Sequence, residues 1–163
     1  QPNDLVDPQK TGGRRMRSFS YMTGMTLLLL FGFGEAEALD SDAFQLQIRV
    51  IHARSDGAGV DPRLQDLKVD LGQLNYRSFK LLDGHQKQVF SRETVALEFP
   101  GNRWLNVRTK GIAKDGSLKI RLSIRDLKFK VKAKVRPGST ILVGGPPHDG
   151  GAIVLAVTAA KSS

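Results

Sequence analysis

Between Lys119 and Arg136 the chain reads KIRLSIRDLKFKVKAKVR, with cations and apolar residues in near-strict alternation. In an extended strand successive side chains point to opposite faces, so Lys119 and Arg121 share one face and Lys128, Lys130, Lys132 and Lys134 share another. The apolar residues are even-numbered up to Ile124 and odd-numbered from Leu127, which places a turn at Arg125-Asp126. A hairpin closed there pairs Ile124 with Leu127, sets Arg121 opposite Lys130 and Lys119 opposite Lys132. A register two residues away still sets cation against cation. Like charges directly opposite one another are unfavourable, so this face gains either from an anionic partner or from full solvation. Trp104, the only tryptophan, has the parity of Arg108 and opposes that of Leu105 and Val107. It belongs on the outer face, either as an interface anchor or, as the pattern favours, beneath a covering helix. The candidate binding residues are therefore Trp104, Arg108, Lys119, Arg121, Lys128, Lys130, Lys132 and Lys134.

Other chemistry is thin. Cysteine is absent, which removes disulfides, thiolate metal sites and cysteine nucleophiles together. His52, His85 and His148 are far apart in sequence and none has metal-ligand spacing. His52 has the parity of a buried strand face and reads as a hydrogen-bonded core histidine. His148-Asp149 lies in GGPPHDGG, where an acid–base pair is conceivable, although neighbours on a turn rarely point together. That segment lacks the strand-to-helix setting and the Lys-Ser/Thr ending of a phosphate loop. No catalytic residue, metal ligand or cofactor is assigned.

The elements that must carry the basic face are strands. Phe44, Leu46, Ile48 and Val50 alternate with polar residues. Asp61-Pro62 then reads as a helix N-cap and first residue, with Leu64, Leu67 and Leu71 on one face and Gly72 as the stop. Tyr76–Leu82 and Gln86–Phe90 read as a hairpin turning at Asp83-Gly84. Val95–Phe99, Leu105–Val107, Leu118–Ile124, Leu127–Val135, Thr140–Val143 and Ala152–Thr158 follow, the last apolar on both faces and so central. The expected fold is mainly β, an antiparallel β-sandwich or barrel of about seven to nine strands, with one short helix covering an open end or edge. The ten residues Arg136–Gly145, with a Gly-x-Thr turn before an apolar strand ending in paired glycines, resemble a strand segment of bacterial secretin channels. The match implies a strand there and carries no function across.

At the amino-terminal side, Arg14, Arg15 and Arg17 precede the uncharged run Tyr21–Gly34, and Ala36 and Ala38 form a small-x-small site. Basic cluster, apolar run and small-residue site, in that order, make a secretory signal peptide, with an uncleaved anchor as the alternative. With Met16 as the start, residues 1–15 are an upstream segment, 16–38 the signal and 39–163 one β domain. Export without cysteine leans towards a bacterial periplasm, envelope or extracellular space. The chain carries 25 Lys+Arg against 16 Asp+Glu, a net charge of +9, which favours polyanionic partners. The expected function is an exported, non-enzymatic interaction or assembly module that meets an acidic protein or an anionic glycan or lipid surface through its basic face. Nucleic acid ranks lower, and self-assembly is a further option. The alternative is a hydrolase or carbohydrate-active enzyme on the same fold. If the signal reading is right, mass spectrometry of protein from its native host finds an amino terminus at Leu39. Retention of residues 16–38 in a cytoplasmic protein would refute it.

Overall fold

Phe44–Arg54, apolar in alternation from Phe44 to Val50, becomes β1, the central strand of a five-stranded sheet. A computed structural model describes residues 43–162; the expected signal peptide and the segment before it lie outside the described residues. β1 (Phe44–Arg54) is followed by β2 (Gly59–Val60), β3 (Ser78–Val89), β4 (Thr94–Phe99), β5 (Arg103–Ile112), β6 (Leu118–Ile124), β7 (Phe129–Val135), β8 (Ser139–His148) and β9 (Gly151–Lys161). One sheet has the order β2-β3-β1-β9-β8 and the other β4-β5-β6-β7. Their inner faces bury Phe44, Leu46, Ile48 and Val50 with Leu105, Val107, Ile120, Leu122, Leu155 and Val157 in one cluster. The protein is a β-sandwich, as the period-two reading expects.

The helical segment sits elsewhere than expected. It is a short strap, a 3-10 stretch Pro62–Leu67 followed by a single α turn, α1 (Lys68–Leu71). It covers neither an end nor an edge but the outer face of the larger sheet. There Leu64, Leu67 and Leu71 pack on Ile51, Ala53, Phe79, Val154 and Ala156 as a second core. β1 is thus buried on both faces from Val50 to Ala53. Asp61 caps the strap by accepting from the Arg63 backbone N–H at 3.0 Å. The Arg63 guanidinium, then the Arg63 and Leu81 backbone N–H groups, hold the Asp61 carboxyl well below the usual carboxylate range. Arg49, on the covered face, forms a bidentate pair with Asp66 of the strap, both bonds 2.8 Å.

Three turns differ from the expected ones. Asp83-Gly84 is not a hairpin turn, because β3 runs straight through it, pairing antiparallel with β1 from Phe44↔Val89 to Arg54↔Ser78. A bulge between Val50 and Ile51 in that ladder takes up one extra residue of β3. The long partner strand prevails over a dipeptide preference. The turn after β6 is also longer than Arg125-Asp126: a 3-10 turn, Arg125–Leu127, ends with Lys128 in the left-handed region, and Ile124 pairs with Phe129. Leu127 therefore belongs to the turn. Finally, GGPPHDGG is mostly strand. β8 continues to His148, and only Asp149 (φ 40°) and Gly150 (φ 72°) turn the chain, the positive-φ pair of a tight two-residue hairpin. β9 is an interior strand between β1 and β8, as its two-sided apolarity requires, while β1 is the central one.

Gly151 opens β9 where it crosses the end of β1, and a Cβ there would lie 2.2 Å from the Ala53 carbonyl oxygen. Gly84, in contrast, has open space at its Cβ position. Gly151→Ala is expected to destabilise severely or prevent folding, while Gly84→Ala leaves the denaturation midpoint near that of the parent. Leu64→Ala, which empties the fully buried anchor of the strap, should cost about 2–5 kcal/mol in denaturant unfolding.

Candidate functional site: the outer face of the smaller sheet

The strap covers the larger sheet, so the outer face of β4–β7 has no helical cover of its own. Register places Thr94 opposite Arg108, Arg108 opposite Arg121, and Arg121 opposite Lys132. Three cations thus lie side by side on three strands, at the roughly 4.8 Å spacing of neighbouring strands. Next to this row Lys119 opposes Lys134, and on the other side Ser123 opposes Lys130. The expected pairs Arg121–Lys130 and Lys119–Lys132 are replaced by Arg121–Lys132 and Lys119–Lys134, because the four residues from Arg125 to Lys128 separate the strands. Cation still meets cation.

A residue not singled out from sequence completes the group. Lys110 stands at a β5 bulge, where Thr109 pairs with Ile120 and Ile112 with Leu118 and Gly111 takes φ 96°. Lys110 keeps the outward parity of Arg108, and the extra residue turns Ile112 in towards the core. Lys110, Lys119, Arg121, Lys132 and Lys134 line a shallow depression of about 430 Å³ floored by Ile120 and Ala133. A second, of about 480 Å³, is lined by Arg108, Arg121, Lys128 and Lys130 with Thr94, Asn106 and Ser123. The Arg108 charge foremost, then burial, then the Arg121, Lys132 and Lys130 charges push the Lys110 amine below its ordinary 10.5. The buried Nε of Arg121 has no hydrogen-bond partner.

Among the described residues the ion pairs are Arg49–Asp66, Arg54–Asp56 and Arg63–Asp61, with Asp83 beside His85 and Asp149 beside His148. None engages a cation of this face. The eight residues singled out by sequence parity all fall on the smaller sheet or its β6–β7 turn. Two have a setting other than expected: Lys128 sits in the left-handed turn position before β7 and not on its strand face, and Trp104 has no helix above it. The strap lies on the other sheet, and the indole is 56% exposed, on β5 opposite Glu98.

At one end of the sandwich two of the three histidines meet, which their spacing in sequence did not suggest. His52 is buried, and its Nε2 donates to the His148 carbonyl at 2.9 Å; the two rings pack edge to face at 5.2 Å. His52 is thus a hydrogen-bonded core histidine. The His148 Nε2 lies 3.6 Å from Asp149, so the neighbours on this turn do point together, the left-handed Asp149 bringing its carboxylate round. No group of three metal-ligating side chains occurs among the described residues. The Ser78 hydroxyl near this end donates to the Asp56 carbonyl at 2.8 Å. His148 also lines an open groove of about 600 Å³ with Trp104, Arg103, Asn102, Glu98 and Asp83. No family model, curated protein or solved structure matches the chain.

The repulsion at Lys110 has a measurable consequence. Its native amine loses the proton at lower pH than the unfolded one, so the repulsion destabilises the fold below the lowered native value. It fades as pH rises through the window up to the ordinary lysine value. Lys110→Gln should therefore raise the thermal midpoint at neutral pH and low salt. The gain should shrink with added salt and vanish above about pH 10.5. A lower midpoint for the variant would show that Lys110 is held by attraction instead.

Proposed function

We propose that the chain is an exported, non-enzymatic interaction or assembly module whose outer β5–β7 face binds an anionic partner. The carrying observation is the unpaired row Arg108–Arg121–Lys132 with Lys110, Lys119, Lys130 and Lys134 around it. Lysines on an edge strand such as β7 discourage edge-to-edge association. β5 and β6 are interior strands with both neighbours paired, so edge protection does not explain their cations. An anion seated on the row relieves the repulsion that the fold otherwise sustains. Acidic protein, anionic glycan and anionic lipid headgroups share the chemistry that such a face recognises.

The second reading is a carbohydrate-active hydrolase. Two carboxylates, Asp83 and Glu98, line the same groove as the exposed Trp104, and paired carboxylates are what glycoside hydrolysis needs. Release of reducing ends from an oligosaccharide, abolished by Glu98→Gln, would decide for it.

The binding reading is tested by titrating the protein with heparin, polyglutamate, duplex DNA and anionic vesicles at two salt concentrations. At least one is expected to bind with an affinity that falls steeply with salt, by roughly 0.7–0.9 log unit per neutralised charge per log unit of salt for a nucleic acid. The double reversal Lys130→Glu, Lys132→Glu should weaken that binding about tenfold or more while leaving the thermal midpoint unchanged or raised. No binding at low salt, or binding indifferent to the reversal, would reduce the face to solvated surface.

A further inference from the structure

Along β5 the outer face changes character. Lys110 and Arg108 stand at one end, Asn106 in the middle and Trp104 at the other, with about 13 Å of strand between Arg108 and Trp104 at ~3.3 Å per residue. Across the sheet the residues opposite change in the same sense: Arg121 pairs with Arg108, Ser123 with Asn106, and on the β4 side Glu98 with Trp104. The Trp104 end is thus no continuation of the cationic grid. It is an aromatic plate beside the Glu98 carboxylate, at the groove of about 600 Å³ that Asn102, Arg103 and, from the larger sheet, Asp83 also line.

The sites of that groove are only partly occupied. Asp83 accepts from the Gly84 N–H at 2.7 Å and lies 3.2 Å from the His85 Nε2, which also reaches the Glu98 carbonyl at 3.1 Å. The Arg103 guanidinium lies over Gly101, where a Cβ would come within 2.8 Å of its Nη1; the glycine leaves room for it. Among the described residues neither the Glu98 carboxylate nor the Arg103 guanidinium has an ion-pair partner. Glu98 therefore offers an acceptor beside the indole on the outer face, and Arg103, of the opposite parity on β5, a donor fork on the other side.

Resting on the anionic-partner reading above, we infer that the partner is an acidic polysaccharide, with one sugar ring on Trp104 and the acid groups of neighbouring residues on the Arg108–Arg121–Lys132 row. A pyranose offers an apolar C–H face to the indole and hydroxyl donors to Glu98, its cross-strand neighbour. A nucleic acid base could stack on the same ring, but its flanking phosphates would then be set against the Glu98 carboxylate, which repels them. A flat headgroup layer would leave the groove unused. Charge complementarity therefore changes along the face as the chemistry of an acidic glycan does: hydroxyl-rich ring at one end, anions at the other.

Trp104 is the only tryptophan in the chain, so its fluorescence reports this groove alone. A heparin-derived hexasaccharide and an oligogalacturonate are titrated alongside polyphosphate and oligothymidylate of matched charge, with affinities taken by calorimetry. An acidic oligosaccharide is expected to shift the Trp104 emission and to bind Trp104→Ala about tenfold more weakly, while polyphosphate binds parent and variant alike. Glu98→Ala, which leaves the tryptophan in place, should also weaken the oligosaccharide and not the polyphosphate. Oligosaccharide affinity untouched by either variant overturns the inference and leaves the anion-binding face standing. So does oligothymidylate binding more tightly with the same emission change, in favour of nucleic acid. Failure of every polyanion to bind at low salt overturns both.

Discussion

Burial of β1 on both faces is the constraint from which the other arrangements follow. Its even residues, Phe44 to Val50, fill the space between the sheets, while Ile51 and Ala53 face the opposite way and need a cover of their own. Ten residues, Pro62–Leu71, supply it by laying Leu64, Leu67 and Leu71 across the sheet. A strap this short is not stable as an isolated helix, so it is held by what it covers and by polar ties at each step. Asp61 caps its start and Asp66 meets the Arg49 guanidinium, which the strap itself has buried. Taking Arg49 out of water is tolerable only because that bidentate partner is there.

This arrangement also distributes charge. Asp56, Asp61 and Asp66 all lie along the chain that crosses the outer face of the larger sheet, and each is paired with an arginine there. The smaller sheet receives no such cover and no such acids on its three cationic strands. Its repulsions persist because they are spread over exposed side chains in high dielectric, where each costs little, while the inner faces of the same strands bury Leu105, Val107, Ile120 and Leu122. The apolar face fixes the register, and the register brings the cations together.

The strands were legible because one buried face imposes a period of two, and an error of one residue would have turned Ile120 and Leu122 outward. The N-cap, the leucine face of the strap and the cationic face were legible for the same reason, each resting on a local period. Longer-range features were not. Asp83-Gly84 has the composition of a turn, yet an eleven-residue partner keeps it extended. Which sheet the strap covers depends on how the sheets pack, and that decides whether Trp104 is buried or exposed. Lys110 has the outward parity of Arg108, but the bulge after it, traced in sequence only by Gly111, is what turns Ile112 in. His52 and His148, 96 positions apart, meet because Gly151 admits the start of β9 close against the end of β1.

The two halves of the outer face do different physical work. A grid of like charges attracts any polyanion from a distance, speeds encounter and discriminates poorly, since screening and counterion release depend on charge density more than on shape. An exposed indole beside the Glu98 carboxylate does the reverse: it adds nothing at long range and disfavours ligands whose negative charge continues onto it. Joined on one strand, they would, on the proposed reading, select for a ligand that is anionic along part of its length and uncharged, with hydroxyl donors, along the rest. That selection requires the indole and the row to keep a fixed separation, which a loop would not guarantee. β5 holds both on one hydrogen-bonded strand, paired with β4 from Arg103 to Arg108 and with β6 from Asn106 onward, so the spacing is set by the same ladder that seals the core beneath it.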